Sequence, residues 1–182
     1  MTAFFFFYNL KMNIQRLTSQ AILPELPKLT SLLQNAVVNG ASVGFLLPLS
    51  EEEALAYWQD VAQAIEGPHR ILLVAKMDDE LAGTVQLDLA SRANGSHRAE
   101  IAKLMVHTSF RGQGIAKALM NAIEQEARQA GRTTLVLDTR EGDPSESLYA
   151  KLGYQRAGTI PEYARSINGQ LHATVFMYKL LK

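Results

Sequence analysis

Residues 103–120 read KLMVHTSFRGQGIAKALM. An apolar, strand-like run leads into RGQGIA, and a helix-like pattern follows at once. The junction carries three small or backbone-permissive residues, Gly112, Gly114 and Ala116, with Arg111 at its mouth. A strand that gives way directly to a glycine turn and a helix presents free backbone N–H groups and the positive end of the helix dipole, and phosphate is the usual guest. Two familiar phosphate loops fail on spacing. A Walker loop ends in Gly-Lys-Ser/Thr, whereas Lys117 is followed by Ala118. A dinucleotide fingerprint wants a third glycine where Lys117 stands, and enters from a βαβ unit rather than from antiparallel strands. What remains is R-x-x-G-x-A.

Outward from this loop the periods alternate cleanly. After the loop, Ile115, Leu119, Ile123 and Ala127 share one helix face, and Gly131 ends that helix. Before it, RILLVAKM (70–77) and LAGTVQLDL (81–89) flank Asp78-Asp79-Glu80 as an antiparallel hairpin, with Leu81, Gly83, Val85, Leu87 and Leu89 on one face. AEIAKLMV supplies the next strand. Upstream, NIQRLT (13–18) predicts a first strand, residues 20–38 a helix whose clean part follows Pro24 and Pro27, and Ser50 with Glu51–Glu53 a capped, acidic helix start. Downstream, TTLVLDT predicts a short buried strand, SESLYAKLGY a short helix, and Asn168-Gly169 a turn between two last strands. The order is strand, two helices, three strands, helix, strand, helix, two strands. No linker or repeat divides it, so residues 12–182 predict one domain.

Residues 1–11 stand apart. MTAFFFFYNLKM is rich in aromatics, yet shorter than a membrane helix and without the basic start or cleavage site of a signal peptide. It reads as an extension ahead of a second start at Met12; an edge strand or a dimer contact is the other reading. Among 182 residues, 18 basic side chains balance 18 acidic ones, which argues against nucleic acid as the main partner. A hydrophobic share of 47% with 20% charged residues is that of a folded soluble chain rather than a disordered or membrane-embedded one. The chain has no Cys, which removes disulfides, thiol nucleophiles and thiolate metal sites, and is compatible with a cytoplasmic home. Its four histidines form no H-x-x-x-H or H-E-x-x-H pair, so no metal is expected, and no G-x-S-x-G marks a serine nucleophile.

With R-x-x-G-x-A, the strand KLMV before it and LYAKLGY (148–154) after it, the chain resembles the GNAT N-acetyltransferase superfamily from about Met12 onward. A finer likeness, through GASVGF (40–45), RAEIAKLMV (98–106), LDT (137–139) and LHAT (171–174), is to the tabtoxin-resistance-type acetyltransferases. Two departures stand out: Thr108 occupies a place where proline is common, and Gly142 lies near one where asparagine is common. The resemblance implies an α/β (α+β) GNAT-type fold, a central mixed, mostly antiparallel twisted sheet of about seven strands flanked by about four helices.

It implies acetyl-CoA as acyl donor. The loop residues Arg111, Gly112, Gln113, Gly114, Ile115 and Ala116 would cradle the pyrophosphate. Leu104 and Val106 would pair with the pantetheine, and the splayed amide of Met105 would meet the thioester carbonyl. Tyr149 would be the acid toward the departing sulfur. Glu100 and Asp138, on strands beside that site, are the candidate bases, and partial burial of Asp138 would raise its pKa toward neutrality. The plainer alternative is that Asp138 caps the following turn and Glu100 pairs with Arg98 or Lys103. The loop between the first helices and the last hairpin nominate Ser42, Val43, Phe45, Tyr163 and His172 for the acceptor. The partner expected is a small-molecule amine, bound by a monomer or homodimer. A protein lysine or N-terminal acetyltransferase, and a non-catalytic CoA-binding regulatory domain, are the rival readings.

Overall fold

In a computed structural model, described here for residues 11–181, seven strands form one sheet in the order β1-β2-β3-β4-β5-β7-β6. Residues 1–11 as a unit of their own therefore lie almost wholly outside the described residues. The strands are β1 (Met12–Arg16), β2 (Arg70–Met77), β3 (Glu80–Leu89), β4 (Arg98–Val106), β5 (Thr134–Arg140), β6 (Gln155–Arg165) and β7 (Leu171–Leu180). Four helices complete the chain: α1 (Leu26–Val38), α2 (Glu51–Ala64), α3 (Ile115–Gln129) and α4 (Pro144–Lys151). Every neighbouring pair is antiparallel except β4 and β5.

The helices arise where the sequence places them. A 3-10 turn over Leu23–Glu25 absorbs Pro24, and Pro27 falls in the first turn of α1, where its missing N–H costs nothing. Ser50 caps α2 by accepting the Glu53 N–H at 3.0 Å. On one face of the sheet α1 and α2 bury Leu29, Leu33, Val37 and Trp58 against Leu72 and Val74. On the other, α3 lays Ile115, Leu119, Ile123 and Ala127 over Leu73, Val85, Leu87 and Ile101. Hydrophobic burial on both faces explains why β2 and β3 read as nearly continuous apolar runs rather than as strict alternation.

Two bulges break that alternation. On β3, Gly83 faces Ala75 and Leu81 faces Lys76, so Ala82 is an extra residue. Leu81, expected on the face of Val85 and Leu87, is turned by this bulge to the α1–α2 side, while Ala82 joins the α3 core. On β4, Met105 faces Thr84 and Ala102 faces Gln86, so Lys103 and Leu104 together oppose Val85. Lys103 takes a left-handed conformation there, φ 54°. Such a backbone is costly for any residue with a Cβ.

Candidate active site

Strands β4 and β5 run parallel for only three residue pairs, ending at Glu100 opposite Val136. Beyond that point they diverge. The opening is continuous with a cavity of about 730 Å³, floored by β4 residues 100–106 and by Asp138–Arg140 of β5. The α1–α2 loop (Gly40–Leu46) closes one side, and the β6–β7 hairpin (Tyr163–Ile167) with the start of α4 closes the other.

The open edge of β4 carries free backbone groups. His107 N–H donates to Ala82 O at 2.9 Å, and antiparallel alternation then turns the Val106 and Leu104 amides away from β3, toward the opening. Met105, whose amide was expected at the opening, faces Thr84 in the register, and its side chain is buried on the α1–α2 side. Lys103 O is held by the Thr84 hydroxyl at 3.1 Å.

At the end of this edge stands the glycine loop. Gly112 and Gly114 have φ 76° and 79°, and a Cβ on either would meet no atom within 4 Å. Gly114 is the N-cap of α3. Steric crowding therefore does not demand glycine here; the left-handed backbone does, and it leaves the N–H groups at the start of α3 uncovered. Ile115 sends its side chain into the core, 1% exposed, so its backbone is the part of it that faces the loop. Arg111 and Ala116 line the cavity, and Arg111 Nε donates to Val106 O at 3.4 Å. The loop is anchored from α1: Asn35 Oδ1 accepts the Thr108 N–H at 3.1 Å, and Asn35 Nδ2 donates to the Thr108 hydroxyl at 3.0 Å. Threonine in place of proline thus supplies two anchoring groups that proline lacks.

Glu100 and Asp138 both reach the cavity floor. Burial in the cleft raises the pKa of each carboxyl; for Glu100 the charges of Asp138 and Asp88 add to the rise, while for Asp138 the nearby Lys103 ammonium opposes it. Both remain exposed to water, which screens these charges. Neither takes the structural alternative: Glu100 forms no ion pair with Arg98 or Lys103 among the described residues, and the cap of α4 is Asp143, which accepts the Ser145 N–H at 2.9 Å.

Tyr149 lines the cavity from α4 while 93% of its surface is hidden (7% exposed), and burial drives its phenol well above the ordinary tyrosine value. Its helix is fixed from behind. Lys179 Nζ donates at 2.7 Å to Leu152 O, just past the end of α4, and at 2.7 and 2.8 Å to the carboxylate of Glu124 on α3.

Ser42, Val43, Phe45 and Tyr163 line the cavity as expected, but His172 does not. It stays in the ladder opposite Ala164. Three β6 residues, Pro161, Glu162 and Tyr163, stand against one residue of β7, and this bulge, with Glu162 at φ 52°, brings Tyr163 to the cavity without its ladder neighbour. Sequence reading missed a residue that backs the cavity lining. Tyr57 of α2 packs edge-on against Phe45 at 5.2 Å, accepts from Gln86 Nε2 at 2.8 Å, and lies 6.0 Å beneath Lys103 Nζ. Burial pushes the Tyr57 phenol up to about 12. The signal available was a lysine in an otherwise apolar strand, AKLMV. Among the described residues no group of three or more His, Asp or Glu is placed to hold a metal ion.

Comparison with known proteins places this geometry. The profile of the Acetyltransferase (GNAT) family matches residues 35–154. An uncharacterized N-acetyltransferase from the hisH-hisA intergenic region of Azospirillum brasilense is 34% identical over 119 residues, 64% of this chain and 69% of that protein. Human N-acetyltransferase 8B is 35% identical over 111 residues, 59% of this chain but 48% of its own length. The chain thus spans about half of that human relative. A putative acetyltransferase from Salmonella typhimurium, solved with its cofactor acetyl-CoA, superposes with a TM-score of 0.75 at 20% identity, covering 94% of each chain.

Proposed function

The chain belongs to the acetyltransferase (GNAT) family and is an acyltransferase, and from that premise we propose that it moves an acetyl group from acetyl-CoA to the primary amine of a small molecule, both reactants being bound together. The observation that carries this reading is the parting of β4 from β5 directly beside a left-handed glycine loop. A strand edge with unpaired amides suits the pantetheine arm, and the uncovered N–H groups at the start of α3 suit the diphosphate, with Arg111 adding charge at the mouth. Nothing lies within 4 Å of the Cβ positions of Gly112 and Gly114, so there is room for a phosphate against the backbone. The absence of cysteine favours direct transfer over a thioester on the enzyme.

Bound there, acetyl-CoA supplies an activated acyl carbonyl and a thiol leaving group. The Leu104 N–H, on the open edge, is the fixed donor for charge developing on that carbonyl, in place of its neighbour Met105. An acceptor amine with an ordinary pKa of ~10.4 arrives protonated. Glu100 and Asp138 attract that ammonium and take its proton, and their raised pKa values bring them nearer the strength a base needs at neutral pH. Tyr149 serves as a hydrogen-bond donor to the sulfur. Its pKa lies above the ~8.5 of a simple thiol, so outright proton transfer from it would run uphill. Lining of the cleft by the α1–α2 loop and the β6–β7 hairpin favours a small acceptor over a folded protein. The likeness of GASVGF and LHAT to the tabtoxin-resistance type points the same way, toward an amino-acid-derived toxin or antibiotic.

The test is calorimetric titration with acetyl-CoA followed by thiol release against a panel of amines. The expected result is binding and amine-dependent release, with both lost in Gly114→Val. A Gly114→Val protein that binds acetyl-CoA as tightly as the parent would sink the assignment of the loop.

A further inference from the structure

One charged group in the cavity has no part in the chemistry above. Lys103 sits on the β4 bulge, half-buried, and lines the cavity between the α1–α2 loop and the divergence of β4 from β5. Its backbone is left-handed, φ 54°. A Cβ on Gly44 would lie 3.5 Å from its ammonium nitrogen, so the loop passes close above it. Among the described residues Lys103 Nζ makes no ion pair and no hydrogen bond; the Tyr57 ring lies 6.0 Å from it, and the charges of Asp138, Asp88 and Glu100 act on it only through space. The other cavity cations are engaged: Arg140 with Asp143 at 3.4 Å, Arg165 with Gly169 O at 2.8 Å, and Arg111 with Val106 O at 3.4 Å.

An unpartnered ammonium partly withdrawn from water is unfavourable, and so is a left-handed lysine. Strain of both kinds in one cavity residue points to a task there. The carboxylates cannot be that task alone. Glu100 and Asp138 share the floor with Lys103, yet none of their oxygens comes within ion-pair distance of it. Positive charge therefore stands on the bulge and negative charge at Glu100 and Asp138, all lining one cavity without pairing directly. A zwitterion is the small molecule that matches such a pair, its ammonium toward Glu100 and Asp138 and its carboxylate toward Lys103.

We propose that Lys103 is a specificity-determining residue that binds the free carboxylate of the acceptor, so that the acceptor class is an amino acid or an amino-acid-like zwitterion. This rests on the acetyltransferase reading and narrows it. Tyr57 supports the role by flooring the ammonium with an aromatic face, and Phe45 beside it offers an apolar surface for the acceptor's side chain.

The experiment measures thiol release from acetyl-CoA with each standard amino acid and with the corresponding carboxamide, using the parent protein and Lys103→Met. Methionine keeps an unbranched side chain that is one atom shorter and carries the same left-handed penalty, so the substitution removes the ammonium and little else. The amine of a carboxamide is the less basic of the two, so a preference for the acid runs against intrinsic reactivity. In the parent the best acid should exceed its carboxamide by at least about 10-fold in kcat/KM. In Lys103→Met that acid should lose about 10- to 100-fold, chiefly through KM, and the gap between acid and carboxamide should close. A parent that turns over carboxamides as well as acids, or a Lys103→Met protein with the same acid preference as the parent, overturns the inference. So does acetyl-CoA binding with no turnover of any acid, which leaves the donor site standing. Failure of the parent to bind acetyl-CoA at all overturns the acetyltransferase reading itself.

Discussion

Replacing Gly83 with alanine should damage stability and cofactor binding together. A Cβ built on Gly83 would lie 2.6 Å from Met105 O, 3.2 Å from Leu119 Cδ1 and 3.4 Å from Ile115 Cγ2. The two side chains can give by a few tenths of an ångström, but the carbonyl cannot swing aside while Met105 stays in register with Thr84. Overpacking of this kind costs about 1–3 kcal/mol, offset by the ~0.5–1 kcal/mol that alanine gains over glycine inside a strand. A net loss of about 1 kcal/mol lowers the Tm of a chain this size by roughly 2–4 °C. The displaced carbonyl belongs to the bulge that turns Leu104 and Val106 to the open edge. Misplacement approaching 1 Å at such a site costs up to about 100-fold in rate. Thermal unfolding by circular dichroism reads the first effect, and calorimetric titration with acetyl-CoA with thiol-release kinetics reads the second. Leu119→Ala supplies the control: it removes the 3.2 Å contact, so a Gly83→Ala penalty that persists in that background belongs to the carbonyl. If Gly83→Ala melts within about a degree of the parent and binds acetyl-CoA equally well, the reasoning about the bulge is refuted.

Three further outcomes follow from the site. Tyr149→Phe should lower kcat by about 10- to 100-fold, the worth of a hydrogen bond to a charged atom; a larger loss, or an alkaline fall of parent activity within the ordinary tyrosine range, would restore full acid catalysis by Tyr149. Asn35→Ala removes both anchors of Thr108, worth about 1–3 kcal/mol together, and should weaken acetyl-CoA binding several-fold by loosening the loop; unchanged affinity by calorimetry would contradict this. For Glu100 and Asp138 the folded-state pKa is raised, so their contribution to stability is fully present below the unfolded carboxyl value and is lost as pH rises through the folded one. Asp138→Asn and Glu100→Gln should each melt higher than the parent at pH 7, lose that gain below about pH 4, and lose turnover; a lower Tm at neutral pH would show that the carboxylates are stabilising instead.

The sheet, the four helices and the glycine loop were legible because each announces itself within a few residues. Ile115, Leu119, Ile123 and Ala127 repeat at helical spacing, Ser50 precedes three glutamates, and RGQG stops a strand. What escaped lies across bulges or between distant elements. Counting by twos puts Leu81 with Val85, and the family likeness puts the Met105 amide at the opening, yet an extra residue intervenes in each strand, Ala82 in one and one of the Lys103–Leu104 pair in the other, and a slip of one reverses every later side chain. Asn35 and Thr108 are 73 positions apart, and Tyr57 reaches Gln86 across 29. No local pattern joins such pairs. His172 was nominated for its place in a terminal hairpin, but the bulge that turns that hairpin toward the cavity lies in β6 and carries Tyr163 alone.

The β4 bulge unites these points, because one irregularity supplies most of the site. It reverses the facing of β4, so that Ala99 and Ile101 pack with α3 while Met105 packs with α1 and α2. Leu104 and Val106 thereby come to lie on the α3 side, the side from which the glycine loop and Arg111 approach. The same bulge leaves the Lys103 ammonium in the cavity beside Gly44 and Tyr57. A regular strand would pair further with β5 and would close the opening that the cavity needs. Gly83, across the ladder from Val106, is the residue that admits this geometry, since any Cβ there would meet Met105 O. The open β4 edge, the cavity lysine and the cavity floor are therefore set by one local backbone choice, and a substitution that flattens it should disturb all three at once.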